Sequence, residues 1–172
     1  MRGFSLIELM ISIAIVGLIT SMGVLSFSGH NDRKNFDNSI KLLEQKIIET
    51  KISALAGQLD NNESTPMYGL QLGQNKKEYF TYFDINGNCQ FDNGETIKET
   101  VTLPDQVEFI SSSVNGFCFQ RDSSVDHVCA FGGNCSFVGN YTLYLQALKI
   151  KKGASLSLNS ESGNVSLEQF DL

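Results

Sequence analysis

Proline is almost missing from this chain: Pro66 and Pro104 are the two it has, and nothing ahead of Pro66 carries that ring. A helix running through the first part of the chain would therefore meet no residue that both removes a backbone donor and clashes with the preceding turn. Flexibility there has to come from Gly17, Gly23 and Gly29, each costing about 1 kcal/mol relative to alanine in a helix interior. Charge is missing from Leu9 to Gly29. Histidine occurs twice, at His30 and His127. A triad of Ser123, Asp126 and His127 fails on geometry, because adjacent residues on a strand point to opposite faces. There is no Gly-x-Ser-x-Gly elbow, no phosphate loop and no dinucleotide fingerprint. No two cysteines form a Cys-x-x-Cys pair, which removes thioredoxin-like and zinc-ribbon chemistry. Basic residues are outnumbered 13 to 19, for a net charge of −6, and an acidic surface disfavours binding to phosphate backbones. The small basic group Lys149, Lys151 and Lys152 reads as a solvated strand end. We read no active site in the sequence. A membrane-tethered enzyme would need a pocket of convergent titratable groups.

What the chain does have is a long apolar run close to its N-terminus. Leu, Ile, Val, Met, Phe and Ala predominate from Leu9 to Gly29. At 1.5 Å per residue, about 20 helical residues span roughly 30 Å of hydrocarbon, so the run is long enough to cross a bilayer. A secretory signal peptide would show a shorter apolar core ending in a small-residue cleavage site, and no Ala-x-Ala pattern follows here. Glu8 lies inside the apolar window, where an ionised acid costs at least a few kcal/mol unless paired. It asks for a positive partner. Arg2, ahead of the run, directs the N-terminus toward the cytoplasm and the remaining domain outside it.

The stretch Gly3-Phe4-Ser5-Leu6-Ile7-Glu8-Leu9-Met10 resembles the class III signal of type IV prepilins and type II secretion pseudopilins. The resemblance implies cleavage by a prepilin peptidase between Gly3 and Phe4, N-methylation of Phe4, and Glu8 as the glutamate that meets the new terminal amine of a neighbouring subunit during assembly. Gly17 matches a glycine common in these helices. The leader would be Met1-Arg2-Gly3, shorter than leaders of that family usually are, and the proline that many members carry in the membrane-proximal helix is missing.

Beyond the apolar run, the polar cluster Ser28-Gly29-His30-Asn31-Asp32 is expected to loosen or bend the helix. Helical periodicity then resumes. Phe36, Ile40, Leu43 and Ile47 recur at three- and four-residue steps, and Ile48, Ile52, Leu55 and Leu59 continue an adjoining stripe. The helix is expected to reach about Leu59 and to end at Asp60-Asn61-Asn62. Short strands follow at Tyr68 to Leu72, Glu78 to Asp84, Thr96 to Leu103 and Val107 to Ser112. Val114 to Arg121 and Val125 to Ala130 suit a hairpin. Tyr141 to Lys149, Ala154 to Asn159 and Val165 to Phe170 complete the set, with a tight turn at Gly163-Asn164. The expected fold is α+β and pilin-like: a long N-terminal helix, transmembrane then amphipathic, packed on a C-terminal antiparallel β domain. The expected divisions are a leader at 1–3, an assembly helix at 4–29, an amphipathic helix at 30–62 and a β-rich domain at 63–172. This layout resembles minor pilins and pseudopilins of the GspH and FimT type in its Tyr/Phe-rich strand, its Asp-Asn-Gly-rich turn and its final glycine-containing hairpin.

All four cysteines, Cys89, Cys118, Cys129 and Cys135, fall in the external domain. An even count in an oxidising compartment suggests two disulfides, with three pairings open. The loop from Asp84 to Glu95 offers oxygen ligands at positions 1, 3, 5, 9 and 12 of a calcium loop, namely Asp84, Asn86, Asn88, Asp92 and Glu95. Its sixth position is Cys89, where that motif has glycine. The competing reading is a turn whose Asn, Asp and Gly residues serve the backbone. Calcium aside, no cofactor is expected. The function expected from the resemblance is a structural subunit of a type IV pilus or type II secretion pseudopilus, held in the inner membrane until processed. Its partners would be other pilins or pseudopilins, the prepilin peptidase and the inner-membrane assembly platform. The alternative is a minor pilin whose exposed domain binds DNA or a surface.

Overall fold

The computed structural model describes residues 5–57, 59–60, 63–64, 67–112, 115–120, 127–130 and 139–172; the side chains at 22–28, 59–60, 63–64, 111–112, 120 and 127–130 also lie outside the description. A single helix, α1 (Leu6–Ala56, 51 residues), opens the described chain, and at 1.5 Å per residue it is about 75 Å long. Ser5 caps its start. Its end is set by Gly57, whose left-handed backbone (φ 59°) lets its N–H reach back to the Ala54 and Ser53 carbonyls. The helix thus stops three residues short of Leu59, because a C-terminal glycine ends it before the polar Asp60-Asn61-Asn62 run is reached. The cluster at 28–32 stays helical throughout: one glycine in an otherwise helical stretch costs less than breaking the ladder.

The strands are β1 (Leu59–Asp60), β2 (Glu63–Ser64), β3 (Met67–Leu72), β4 (Glu78–Asp84), β5 (Thr96–Thr102) and β6 (Glu108–Ser112). They continue with β7 (Gly116–Gln120), β8 (His127–Ala130), β9 (Asn140–Ala147), β10 (Lys152–Asn159) and β11 (Val165–Asp171). β1 and β2 pair as a small ribbon; a five-stranded sheet runs β5-β4-β3-β7-β8 and a four-stranded sheet β11-β10-β9-β6. Every pairing is antiparallel. β7 and β8 pair as the sequence suggests, with Cys118 opposite Cys129. The strand expected to reach Lys149 ends at Ala147 instead. Leu148–Ile150 form a 3₁₀ turn, closed by Lys151 in a left-handed conformation, that returns the chain into β10.

The α+β architecture follows from where the apolar stripes fall. β9 alternates strictly, burying Tyr141, Leu143, Leu145 and Ala147. Phe36, Ile40, Leu43 and Ile47 of α1 are at most 2% exposed and join residues of both sheets in one core. Burying each such side chain contributes about 1.5–3 kcal/mol. The adjoining stripe does not follow: Ile48, Ile52 and Leu55 remain 44–58% exposed, since one residue further along a helix turns about 100° away from the packed face. Polar ties hold the helix against the sheets. Lys46 bridges Glu49 (2.7 Å) and Glu99 of β5 (2.6 Å), Lys98 reaches Ser53 (3.1 Å), and Lys149 pairs with the nearly buried Asp32 (2.6 Å).

Candidate functional site

At the N-terminal end the site is built by the sequence Ser5-Leu6-Ile7-Glu8. A helix start leaves its first N–H groups without partners, and here they are met reciprocally. The Ser5 hydroxyl accepts from the Ile7 N–H (3.3 Å), and the Glu8 carboxylate accepts from the Ser5 N–H (3.2 Å). This is a capping box, and a negative charge at that end also suits the helix dipole. Polar side chains further along serve the helix itself: Ser12 donates to the Glu8 carbonyl and Thr20 to the Val16 carbonyl, both at 2.8 Å. The apolar side chains have no such internal partner. Leu6, Ile7, Leu9, Met10, Ile11, Ile13, Ile15, Val16, Leu18 and Ile19 are all more than half exposed. Gly3 and Phe4 lie outside the described residues. Among the described residues no helix is long and apolar enough to cross a membrane; the described side chains of this segment run from 5 to 21 and resume at 29. The capping signal Ser5-x-x-Glu8 is legible in the sequence, beside the reading of Glu8 as an acid seeking a cation.

The loop after β4 brings Asp84, Asn86, Asn88, Asp92 and Glu95 together, but turns them on its own backbone. Asp84 is fully buried, and its two oxygens accept from the N–H groups of Gly87 (2.7 Å) and Cys89 (2.6 Å). The oxygens of Asn86 and Asn88 accept from the Asn88 and Gln90 N–H groups. Their amide N–H groups converge on one oxygen of Asp92, at 2.9 and 2.7 Å. These bonds hold the Asp92 carboxyl below the usual carboxylate range. Glu95 accepts from the N–H groups of Ile85 and Asp92, while desolvation pushes its own carboxyl upward. Cys89 takes the left-handed backbone (φ 62°) that the glycine of a calcium loop would take. Yet among the described residues no three carboxylates here bring ligand atoms within 4.8 Å of one another; the group that does is Asp84, Cys89 and Cys118, whose sulfurs are spent in a disulfide. As folded, the side-chain oxygens of Asp84, Asn86, Asn88 and Asp92 are engaged by the loop's own N–H groups.

What the loop does is cover the sheet. Cys89 is tied to Cys118 on β7, and Met67 packs with them in a small cluster separate from the main core. The Phe91 ring meets Phe80 and Tyr82 at 5.2 and 5.6 Å, and its N–H donates to Gln71 (3.1 Å). Tyr82 in turn lies over Gly69 so closely that an added Cβ would fall 2.2 Å from its ring. Of the three cysteine pairings left open, the structure thus takes the one joining Cys89 to Cys118. The side chain of Cys129, and Cys135 altogether, lie outside the described residues.

The remaining candidates do not converge. Ser123 and Asp126 and the side chain of His127 are outside the described residues, and His30 is exposed on α1. Of the basic group, Lys149 is paired with Asp32 and Lys152 with Asp171, so two of its three charges are already met. A shallow groove of about 290 Å³ lies between α1 and β5. It is lined by Ile48, Ile52, Gln45 and Ser53, with Glu49 and Lys98 paired across it. No curated protein and no solved structure shows a significant match to the chain. The capped helix start, its acid and the exposed apolar face behind it coincide with the family model that does match: residues 1–24 carry the prokaryotic N-terminal methylation motif, the hallmark of type IV prepilin-like proteins, pseudopilins included.

Proposed function

We propose that the chain is a structural subunit, a minor pilin or pseudopilin. A prepilin peptidase cleaves it between Gly3 and Phe4 and methylates Phe4, and it is then assembled into a type IV pilus or a type II secretion pseudopilus. The observation that carries this reading is the coincidence of the methylation motif with a helix stretch, Leu6 to Ile19, whose large apolar side chains are more than half exposed among the described residues. An apolar face of that length has to be covered by lipid before assembly and by equivalent helices after it. The single charge in that face is Glu8; across subunits it would neutralise the Phe4 amine. Held so, the helix anchors the chain in the inner membrane with its N-terminus cytoplasmic and the β domain outside. The subunit's partners are then other pilins, the peptidase and the assembly platform. The neutralised lysines at 149 and 152 give the DNA-binding alternative no support.

The test is mass spectrometry of the full-length chain extracted from membranes that contain prepilin peptidase. The expected product lacks Met1-Arg2-Gly3 and carries one methyl group on the Phe4 amine. A chain that retains Met1 in the presence of active peptidase overturns the reading.

A further inference from the structure

We propose that the foot of the β domain, where the turn at Leu148–Ile150 meets α1, is a docking surface for anionic lipid headgroups. This rests on the membrane-anchored reading above. The uncharged run closes at Gly29 and Asp32 follows three residues later, about 4.5 Å further along the helix axis. The Lys149 ammonium pairs with Asp32 at 2.6 Å, which fixes the turn beside that point of α1. Lys152 pairs with Asp171, and the Leu172 N–H donates to the Lys151 carbonyl (3.1 Å), so the end of β11 joins the same foot. Arg33 lies close enough to add to Lys152 in holding the Asp171 carboxyl below the usual carboxylate range.

Charge, apolar surface and depth all fit a lipid surface. The whole chain carries −6, yet the foot gathers Arg33, Lys34, Lys149, Lys151 and Lys152 against Asp32 and Asp171. Asp37, a turn further along α1, and Glu108, held by Gln146 (2.7 Å), flank it. Arg33, Lys34 and Lys151 are exposed. Among these cations Leu148 is 65% exposed and Leu172 50%. A headgroup layer accepts that mixture, apolar side chains reaching the acyl boundary while basic ones stay with the phosphates. That layer extends roughly 5–7 Å beyond the hydrocarbon on each side, the depth at which Asp32 holds the turn. Duplex DNA could use the charges, but neither the exposed Leu148 nor the position at the end of the apolar run serves it.

The chain contains no tryptophan, so Leu148→Trp gives the full-length protein a single indole on the foot. The variant is reconstituted in vesicles of phosphatidylcholine, with or without phosphatidylglycerol, and floated with them before its emission is read. With phosphatidylglycerol the emission is expected to shift to the blue and to be quenched more strongly by brominated acyl chains than in phosphatidylcholine alone. Salt on the order of 0.5 M, which shortens the Debye length to a few ångströms, is expected to reverse that gain. Adding Arg33→Gln, Lys34→Gln and Lys151→Gln is expected to remove it, since each basic residue near an anionic surface favours the contact about fivefold. Lys98→Gln, beside Glu49 and roughly 25 Å further along α1, is expected to keep it. Equal emission in the two lipids, or a triple variant indistinguishable from its parent, overturns the inference. So does retention of duplex DNA through the same three residues by a chain whose emission ignores lipid charge. A chain that floats with neither vesicle defeats the anchored reading itself, so the two failures are distinct.

Discussion

The two halves of α1 share one unbroken backbone and differ in what their apolar faces meet. In the first half, Leu6 to Ile19 stand open, each apolar residue except alanine more than half exposed. In the second, Phe36, Ile40, Leu43 and Ile47 are sealed between two sheets. Helix formation is thus indifferent to the partner, while stability is not. The second half belongs to the fold; among the described residues, nothing covers the apolar side chains from Leu6 to Ile19 of the first.

The sharpest way to break that comparison is to truncate both halves and unfold the full chain in detergent with denaturant. Leu43→Ala is expected to destabilise the β domain by about 2–5 kcal/mol, the transfer and cavity cost of a buried leucine. Ile13→Ala is expected to stay within about 0.5 kcal/mol. Equal losses would mean the first half packs on the domain after all. Next in size is the tie that holds the loop to the sheet: replacing Cys89 and Cys118 together by serine is expected to cost about 2–4 kcal/mol, read as a lowered denaturant midpoint. An unchanged midpoint would show that Phe91 and Asp84 hold the loop without it.

A smaller effect concerns acid. Hydrogen bonding to Lys46 lowers the Glu49 carboxyl, and the Asn86 and Asn88 amides lower that of Asp92. A carboxyl depressed on folding contributes stability above its unfolded pKa and loses it as pH falls through the folded value. Stability should therefore fall on acidification below the ordinary carboxylate range. Desolvation raises Glu95, so its contribution has the opposite sign: it is present below the unfolded pKa and lost as pH rises through the folded one. Lys46→Met should flatten the Glu49 part of the acid limb, an exposed-pair effect of about 0–1 kcal/mol; an acid limb identical to that of the native chain would show that Lys46 does not set it. Smallest of all, the thermal midpoint should not respond to millimolar calcium against chelator, because the loop's amides present hydrogens to Asp92. A clear rise with calcium would return those five residues to the role their spacing suggested.

Much of the fold was legible because period is a local property. The stripe at Phe36, Ile40, Leu43 and Ile47 and the alternation along Tyr141 to Ala147 each name their buried face without reference to the rest of the chain. The helix ends at Ala56, short of the expected Leu59, for an equally local reason: Gly57 caps it before the more conspicuous polar run is reached. The stripe at Ile48, Ile52 and Leu55 could not be settled locally, since apolar spacing says which residues share a face and not whether a sheet lies against it. The same limit applied to the loop at 84–95, where calcium ligands and self-bonded turn residues have one and the same spacing.

By itself the sequence determined the N-terminal methylation motif, the acid in the apolar run and the alternation of helix and strands, because each depends on residues a few positions apart. Only the tertiary structure decided that Cys89 reaches Cys118 across 29 residues, that the Asp84 oxygens accept from backbone N–H groups, and that Phe36, Ile40, Leu43 and Ile47 of α1 are buried while the described apolar side chains from Leu6 to Ile19 are not. Those outcomes depend on which distant surfaces meet, and a linear pattern carries no record of that.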